Sequence, residues 1–240
     1  CAEGETHIAT RIFQRDAQGA LQAYLAHPIV GDPHHVHRFK AQAQALWPNW
    51  QAIFEAAPSP SNFRSVLTYL RDHPDGGQYH FRKALNLINR RLLSIYLSAY
   101  QSLLWNRIAG RYSEELMGEA PAYVEIARER LPVYHRLPDH VAFDMTIALP
   151  SHRARYKGSL QAIATRVLQE EGFVLNDIKA RVLKKAYLTK GRRALFLLPD
   201  AMTLSDPQPD ERFSGRQKVS AAFALSRGSY ATLVLKALAV

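Results

Sequence analysis

The feature that most constrains this chain is a long, mostly apolar segment at residues 84–112. Apolar residues recur there every three or four positions in two adjacent stripes, one through Leu92 and Ile95 and the other through Leu93 and Leu104. This period predicts one long helix with much of its circumference apolar, which favours a central, buried position. Serines and a glutamine interrupt it, so it falls short of the roughly 18 consecutive apolar residues typical of a membrane span.

The chain before and shortly after this segment also has a helical pattern, from residue 2 to about residue 131. Apolar residues again recur at intervals of three and four, and prolines and glycines punctuate them where helices should break. The predicted breaks lie at Pro28, Pro33, Pro48, Pro58, Pro60, Pro74 with Gly76 and Gly77, and Pro121. The pattern therefore predicts a compact set of short helices.

After Pro132 the pattern becomes mixed, which indicates an α+β fold that is mainly helical. Strands are predicted at 141–149, 193–198 and 217–225, and helices at 158–171, 176–185 and 230–238. The strand at 217–225 is the clearest, because its apolar and small polar residues alternate. A loop rich in Pro, Asp and Ser at 199–214 is the predicted domain boundary.

The charge is uneven. The chain carries 31 Lys and Arg against 21 Asp and Glu, a net charge of +10, and segment 151–198 holds eleven basic residues against three acidic ones. Such clustering is typical of proteins that bind a polyanion, because phosphates neutralised by cations release condensed counterions. The alternative is a solvated basic face. The candidate RNA-binding residues are Arg153, Arg155, Lys157, Lys184, Lys185, Lys190, Arg192 and Arg193.

Other chemistry has little support in the sequence. The single cysteine, Cys1, cannot form an internal disulfide, which favours a reducing, cytoplasmic setting. His34 and His37 share a helical spacing, but no carboxylate or cysteine stands at ligand spacing, so a polar helix start is preferred to a metal site. The chain has no glycine-rich phosphate loop and no nucleophile elbow.

Two longer motifs and three shorter ones carry a family resemblance. Residues 96–106 read YLSAYQSLLWN, and the terminal strand, turn and helix at 219–238 contain RGSYAT. RARYKG at 153–158, EEG at 170–172 and KGRR at 190–193 lie between them. In this order they resemble the TruD family of tRNA pseudouridine synthases.

The resemblance implies a fold and a function. The family has a pseudouridine-synthase catalytic domain interrupted by a TruD-specific insertion. Residues 1–199, with the central helix 84–112 and a basic α/β part at 132–198, then belong mostly to the insertion, and 200–240 supply the last strand and helix of the catalytic sheet. The implied reaction converts uridine 13 of tRNA to pseudouridine, without a metal or organic cofactor.

The resemblance also implies a substrate-binding turn at Gly228, Ser229 and Tyr230, with the tyrosine against the target base. An aromatic ring suits a flipped base, which has lost its stacking partners. The family's nucleophile is an aspartate in a Gly-x-Lys-Asp context, and none of the aspartates of this chain follows a lysine.

The chain is therefore expected to be a C-terminal fragment with no catalytic residue of its own. We expect the missing N-terminal segment of the same protein to supply the nucleophile, so that the fragment alone is inactive and the complete protein is active. A noncatalytic RNA-binding module is the main alternative, and a helical scaffold for protein partners is a third interpretation.

Overall fold

The computed structural model describes residues 7–29, 31–126, 129–227 and 229–239. Their described parts form two compact units, one from Cys1–Ile108 with Ala148–Gly191 and one from Ala109–Ile147 with Arg192–Val240. Helices and small strands occur together, as the α+β prediction required. The predicted boundary at residue 199 lies inside the second unit. The assignment of 1–199 to an insertion domain and 200–240 to a catalytic sheet stays a prediction.

Short helices separated by prolines form most of the first unit, as predicted. They are α1 (Ile8–Phe13), α2 (Ala17–Ala26), α3 (His34–Leu46), α4 (Trp50–Ala56), α5 (Arg64–Arg71) and α6 (Gln78–Leu85). Two further helices follow, the long α7 (Arg90–Met117) and α8 (Gly158–Glu170). Asp16 caps α2 by accepting the Gly19 N–H at 2.8 Å, and Asn49 caps α4 by accepting the Ala52 N–H at 3.1 Å. The capping residues and prolines together define where these helices begin and end.

The longest helix does not span 84–112 as predicted. α6 ends at Leu85, and α7 runs from Arg90 to Met117 and contributes residues to both units. The break has a local cause: the Asn86 amide donates to the Arg82 carbonyl at 2.7 Å, and the Asn89 side chain accepts the Arg91 N–H at 2.8 Å. The two asparagines thus cap the end of one helix and the start of the next.

Only one of the two predicted stripes of α7 is deeply buried. Leu93, Tyr100 and Leu104 are buried, whereas Ile95 is 55% exposed. The remaining core of the first unit comes from the short helices, whose fully buried side chains include Leu21, Leu25, Phe39, Ile53, Leu67, Leu70 and Leu85. This apolar burial is the main stabilising contribution in the unit.

A buried glutamine ties the basic segment to α7. The Gln101 side chain is buried, and its amide donates to the carbonyls of Pro150 and Thr189, each at 2.9 Å. These carbonyls lie at the two ends of segment 151–188, so one side chain holds both ends. The chain between them therefore leaves α7 and returns to it.

Glu171 provides a second connection to α7, just after α8. Its carboxylate accepts the Tyr100 hydroxyl at 2.6 Å and also pairs with Arg107. Burial and the hydrogen bond to Glu171 raise the pKa of Tyr100, so its hydroxyl remains a neutral donor. The two matched motifs, YLSAYQSLLWN and EEG, are thus in direct contact.

The second unit contains paired strands rather than more helix, so the helical pattern predicted up to residue 131 is wrong after α7. The strands are β1 (Ala122–Ile126), β2 (Glu129–Val133), β3 (Thr146–Ala148), β4 (Arg192–Ala194), β5 (Asp200–Leu204), β6 (Gln208–Pro209), β7 (Gln217–Lys218) and β8 (Ala221–Ala224). β1 pairs antiparallel with β2, β5 with β8, and β6 with β7, while β3 pairs with β4. Pro132 is tolerated in β2 because the ribbon has only two strands.

Several predicted elements change length or character. The strands predicted at 141–149 and 193–198 shorten to β3 and β4, and the strand at 217–225 divides into β7 and β8. The loop at 199–214 contains β5 and β6, whereas the closing helix is confirmed as α9 (Ala231–Ala237), which packs on β1. The helix predicted at 176–185 does not form: only a short 3-10 turn, Leu175–Asp177, is present.

Replacing Gln101 with Met should destabilise the first unit by about 2 kcal/mol, because a buried carbonyl loses its donor while the volume is kept. Urea unfolding followed by tryptophan fluorescence measures this, since all three tryptophans, Trp47, Trp50 and Trp105, lie in the first unit. Gln161→Met, at an exposed position of α8, is the matched control and should change stability by less than about 0.5 kcal/mol. Equal stability of the two variants would contradict the bridging role.

Candidate nucleic-acid interface

The eight predicted RNA-binding residues do not form one cluster. Arg153, Arg155, Lys157, Lys184, Lys185 and Lys190 belong to the first unit and are exposed. Arg192 and Arg193 belong to the second unit. Arg192 donates to the hydroxyl oxygen of Thr146 at 2.8 Å and to its carbonyl at 2.5 Å, so its guanidinium is engaged within β3 and β4.

Two grooves of the first unit are lined by four of these six exposed cations, whereas Arg155 and Lys157 line neither groove. The first, called here the Tyr79 groove, has a volume of about 600 Å³. It is lined by Tyr69, Tyr79, Arg82, Lys83, Asn86, Leu87, Val182, Lys184 and Lys185. The lining combines four cations with two aromatic rings and has no acidic side chain among the described residues. Such a surface suits a phosphate backbone.

Asn86 explains why distant cations meet in the Tyr79 groove. Its side-chain amide donates to the Val182 carbonyl at 2.9 Å, and its oxygen accepts the Lys184 N–H at 2.7 Å. The Lys184 N–H, which a helix at 176–185 would have paired with the Ala180 carbonyl, is therefore satisfied by a side chain. These contacts hold the loop beside α6, which carries Arg82 and Lys83.

The second groove, called here the His152 groove, has a volume of about 800 Å³. It is lined by Ser151, His152, Arg153, Lys179, Ala180, Arg181, Leu183, Tyr187, Leu188 and Lys190. Four cations surround an apolar floor, and here too no described lining residue is acidic. Segment 179–190 contributes to both grooves, so the two grooves share one wall.

His152 is a lining residue whose Nδ1 atom is buried. Burial, followed by the nearby cations Lys179 and Arg153, lowers the pKa of His152. The ring is therefore mainly uncharged at neutral pH.

The predicted substrate turn lies in the second unit, at the start of α9. The Tyr230 side chain is 65% exposed, so its ring is not sealed in apolar packing. Ser229 supports the turn, since its N–H donates to the Ser226 carbonyl at 3.1 Å and its hydroxyl lies 2.9 Å from that of Ser226. Gly228 lies outside the described residues, and the base-stacking role of the turn stays a prediction.

Sequence reasoning missed several residues of these grooves. Arg82, Lys83 and Tyr79 lie in α6, about a hundred positions before the lysines that they join, and no local pattern reports such a contact. His152 and Tyr187 lie within the basic segment but carry no motif that distinguishes them. A basic run interleaved with aromatic residues was the only available signal.

Two further features of the described residues bear on other functions. In the described part of the chain, no three His, Cys, Asp or Glu side chains are arranged to hold a metal ion. None of the helices described combines the length and apolar composition needed to cross a bilayer.

Comparisons with known proteins agree with one another. The chain is 24% identical over 235 residues to a protein of Methanocaldococcus jannaschii named "Probable tRNA pseudouridine synthase D 2", a match that covers 95% of this chain and 55% of that protein. It is 23% identical over 233 residues to tRNA pseudouridine synthase D of Leptospira interrogans, covering 94% and 56%. The chain thus spans little more than half the length of these relatives.

A solved structure shares the fold. The crystal structure of a TruD protein from Methanosarcina mazei matches with a TM-score of 0.71 at 19% identity, covering 96% of this chain and 56% of that one. At this identity the likeness establishes the fold alone.

These relatives are all of one class, enzymes named for making pseudouridine in tRNA. The family model of tRNA pseudouridine synthase D (TruD) matches residues 2–238, and the chain therefore belongs to the TruD family.

Replacing Asn86 with Ala should release the loop at 182–184, because two backbone groups lose their side-chain partner. Hydrogen exchange at the Lys184 amide should accelerate by about tenfold or more. Asn49→Ala removes another asparagine that bonds a backbone amide, in α4, and should leave exchange at Lys184 unchanged. Equal protection of Lys184 in all three proteins would show that the Asn86 contact does not hold the loop.

Proposed function

We propose that this chain is the RNA-gripping part of a tRNA pseudouridine synthase that isomerises uridine 13. In this proposal the two grooves bind the tRNA backbone, and Tyr230 stacks on the uridine to be isomerised. The observation that carries the proposal is the pair of cation-lined grooves in a chain of the TruD family. tRNA is the partner, and the proposal places the chain with it in the cytoplasm.

The charge of the grooves supports a polyanionic partner over a protein one. Each groove gathers four Lys or Arg side chains without a described acidic one in its lining. Neighbouring cations repel one another in the absence of a ligand, and phosphates relieve that repulsion while releasing counterions. The helical-scaffold interpretation gives no reason for this arrangement.

The nucleophile is proposed to come from polypeptide outside these 240 residues. No aspartate of the chain follows a lysine, so the Gly-x-Lys-Asp context is not found in it. The second unit also exposes many large apolar side chains, namely Phe143, Leu198, Leu204, Phe213, Val219, Leu235 and Leu238. Exposed apolar surface of this kind is typical of a face that another segment covers. This supports packing of further catalytic-domain chain on the second unit.

A noncatalytic RNA-binding module is the second candidate. The two cation-lined grooves serve it equally well. The two candidates differ in one property: only the first predicts pseudouridine formation by the complete protein.

Reversing charge in the Tyr79 groove should weaken tRNA binding. The double variant Lys184→Glu/Lys185→Glu should lower affinity by roughly tenfold or more and reduce the slope of log affinity against log salt by about 2. Fluorescence anisotropy across a salt series measures both quantities.

The matched control for this prediction is Arg90→Glu/Arg91→Glu, an exposed neighbouring pair that lines neither groove. It changes the net charge equally and should leave the slope close to that of the wild type. Equal losses in the two variants would indicate diffuse attraction by net charge and count against groove binding.

Replacing Tyr230 with Ala in the complete protein should lower turnover more than tRNA affinity, because the ring contacts one base among many contacts. We expect a loss of turnover of about tenfold or more, and Tyr230→Phe, which keeps the ring, should retain most activity. Tritium release from tRNA labelled at uridine C5 measures the reaction, and the 240-residue chain alone should release none. Undiminished turnover of the alanine variant would remove Tyr230 from the site.

A further inference from the structure

The His152 groove has features that phosphate binding alone does not require. Besides its four cations it contains an apolar floor and an exposed tyrosine. Its volume of about 800 Å³ lies in the range of small-molecule sites and is ample for a nucleotide. A surface that binds only the phosphate backbone of RNA would need only the cations.

Tyr187 is placed to act as a stacking platform. Its side chain is 67% exposed, yet its hydroxyl donates to the Lys184 carbonyl at 2.7 Å, which restrains the ring. None of the described rings or cations stacks on it. An exposed ring that is already held in position loses little entropy when a base stacks on it.

Tyr79, in the other groove, makes an instructive contrast. It is equally exposed, at 64%, but Lys83 lies over its ring at 5.1 Å and His80 packs against it edge-on at 5.2 Å. Lys83 and His80 therefore already contact the Tyr79 ring, whereas none of the described rings or cations stacks on the Tyr187 ring.

We propose that the His152 groove binds one unpaired nucleotide of the RNA, with its base stacked on Tyr187 and its phosphate among Arg153, Lys179, Arg181 and Lys190. This site is additional to the uridine assigned to Tyr230, and it rests on the proposed function, since it requires that the chain bind RNA. A base-paired nucleotide does not fit, because its neighbours in the helix cover both faces of its base.

The test uses the 240-residue chain and two labelled probes, a 12-nucleotide oligouridylate and an RNA duplex of the same length, in fluorescence anisotropy. Tyr187→Ala should lower affinity for the single strand about tenfold and leave duplex affinity within about twofold, because the charges are unchanged. Tyr187→Phe keeps the ring and should bind the single strand within about twofold of the wild type. Ile95→Ala, which removes an exposed apolar side chain that lines neither groove, is the control and should also stay within about twofold. Circular dichroism of each variant checks that the fold is retained.

Three outcomes would overturn the proposal. One is single-strand affinity within about twofold of the wild type for Tyr187→Ala, and another is an equal loss for Tyr187→Phe, which would assign the effect to the hydroxyl contact with Lys184. The third is a wild-type chain that binds tRNA but not the oligouridylate. A chain that binds neither would overturn the proposed function as well, so the two failures are distinguishable.

Discussion

The position of the basic segment depends on one buried amide. Gln101 donates to the carbonyls of Pro150 and Thr189, and these two contacts hold both ends of the segment that lines the His152 groove. The cost of an unsatisfied buried carbonyl makes the arrangement specific, because few other side chains can serve two acceptors at once. Glu171 adds contacts from the middle of the segment to Tyr100 and Arg107. α7 thus acts as the support for the interface.

The parts of the fold that the sequence predicts well are those set by local chemistry. Breaks at Pro28, Pro33 and Pro48 separate α2, α3 and α4 as expected, because proline restricts its own backbone and that of the preceding residue. In the closing region, Ala221 and Phe223 are less exposed than Ala222 and Ala224, so the predicted alternation is present in β8. α9 follows where the helical period resumes. Each of these signals lies within a few residues of the element it defines.

The predictions that failed depend on distant partners. Ile178, Val182 and Ala186 recur every four residues and are buried, which is the signature of a helix, yet the chain there is mostly irregular. The side chain of Asn86, almost a hundred residues earlier, hydrogen-bonds to the Val182 carbonyl and to the Lys184 N–H. The same contact explains why the candidate site was predicted only in part: cations of 151–198 were identified, but their neighbours on α6 were not. Tertiary contacts override local propensity in both cases.

Charge and geometry have different consequences for recognition in the first unit. Segment 151–191 of this unit holds nine basic and three acidic residues, and its net charge of +6 attracts any polyanion within a Debye length of about 10 Å at moderate salt, without distinguishing one RNA from another. Selection requires rings and polar atoms at defined positions. Those positions are set by uncharged side chains that hydrogen-bond to the backbone of the segment. Gln101 binds its two ends, Asn86 binds the loop at 182–184, and the Tyr187 hydroxyl donates to the Lys184 carbonyl. In the proposed RNA-binding role, specificity therefore depends more on the residues that hold the backbone than on the cations themselves.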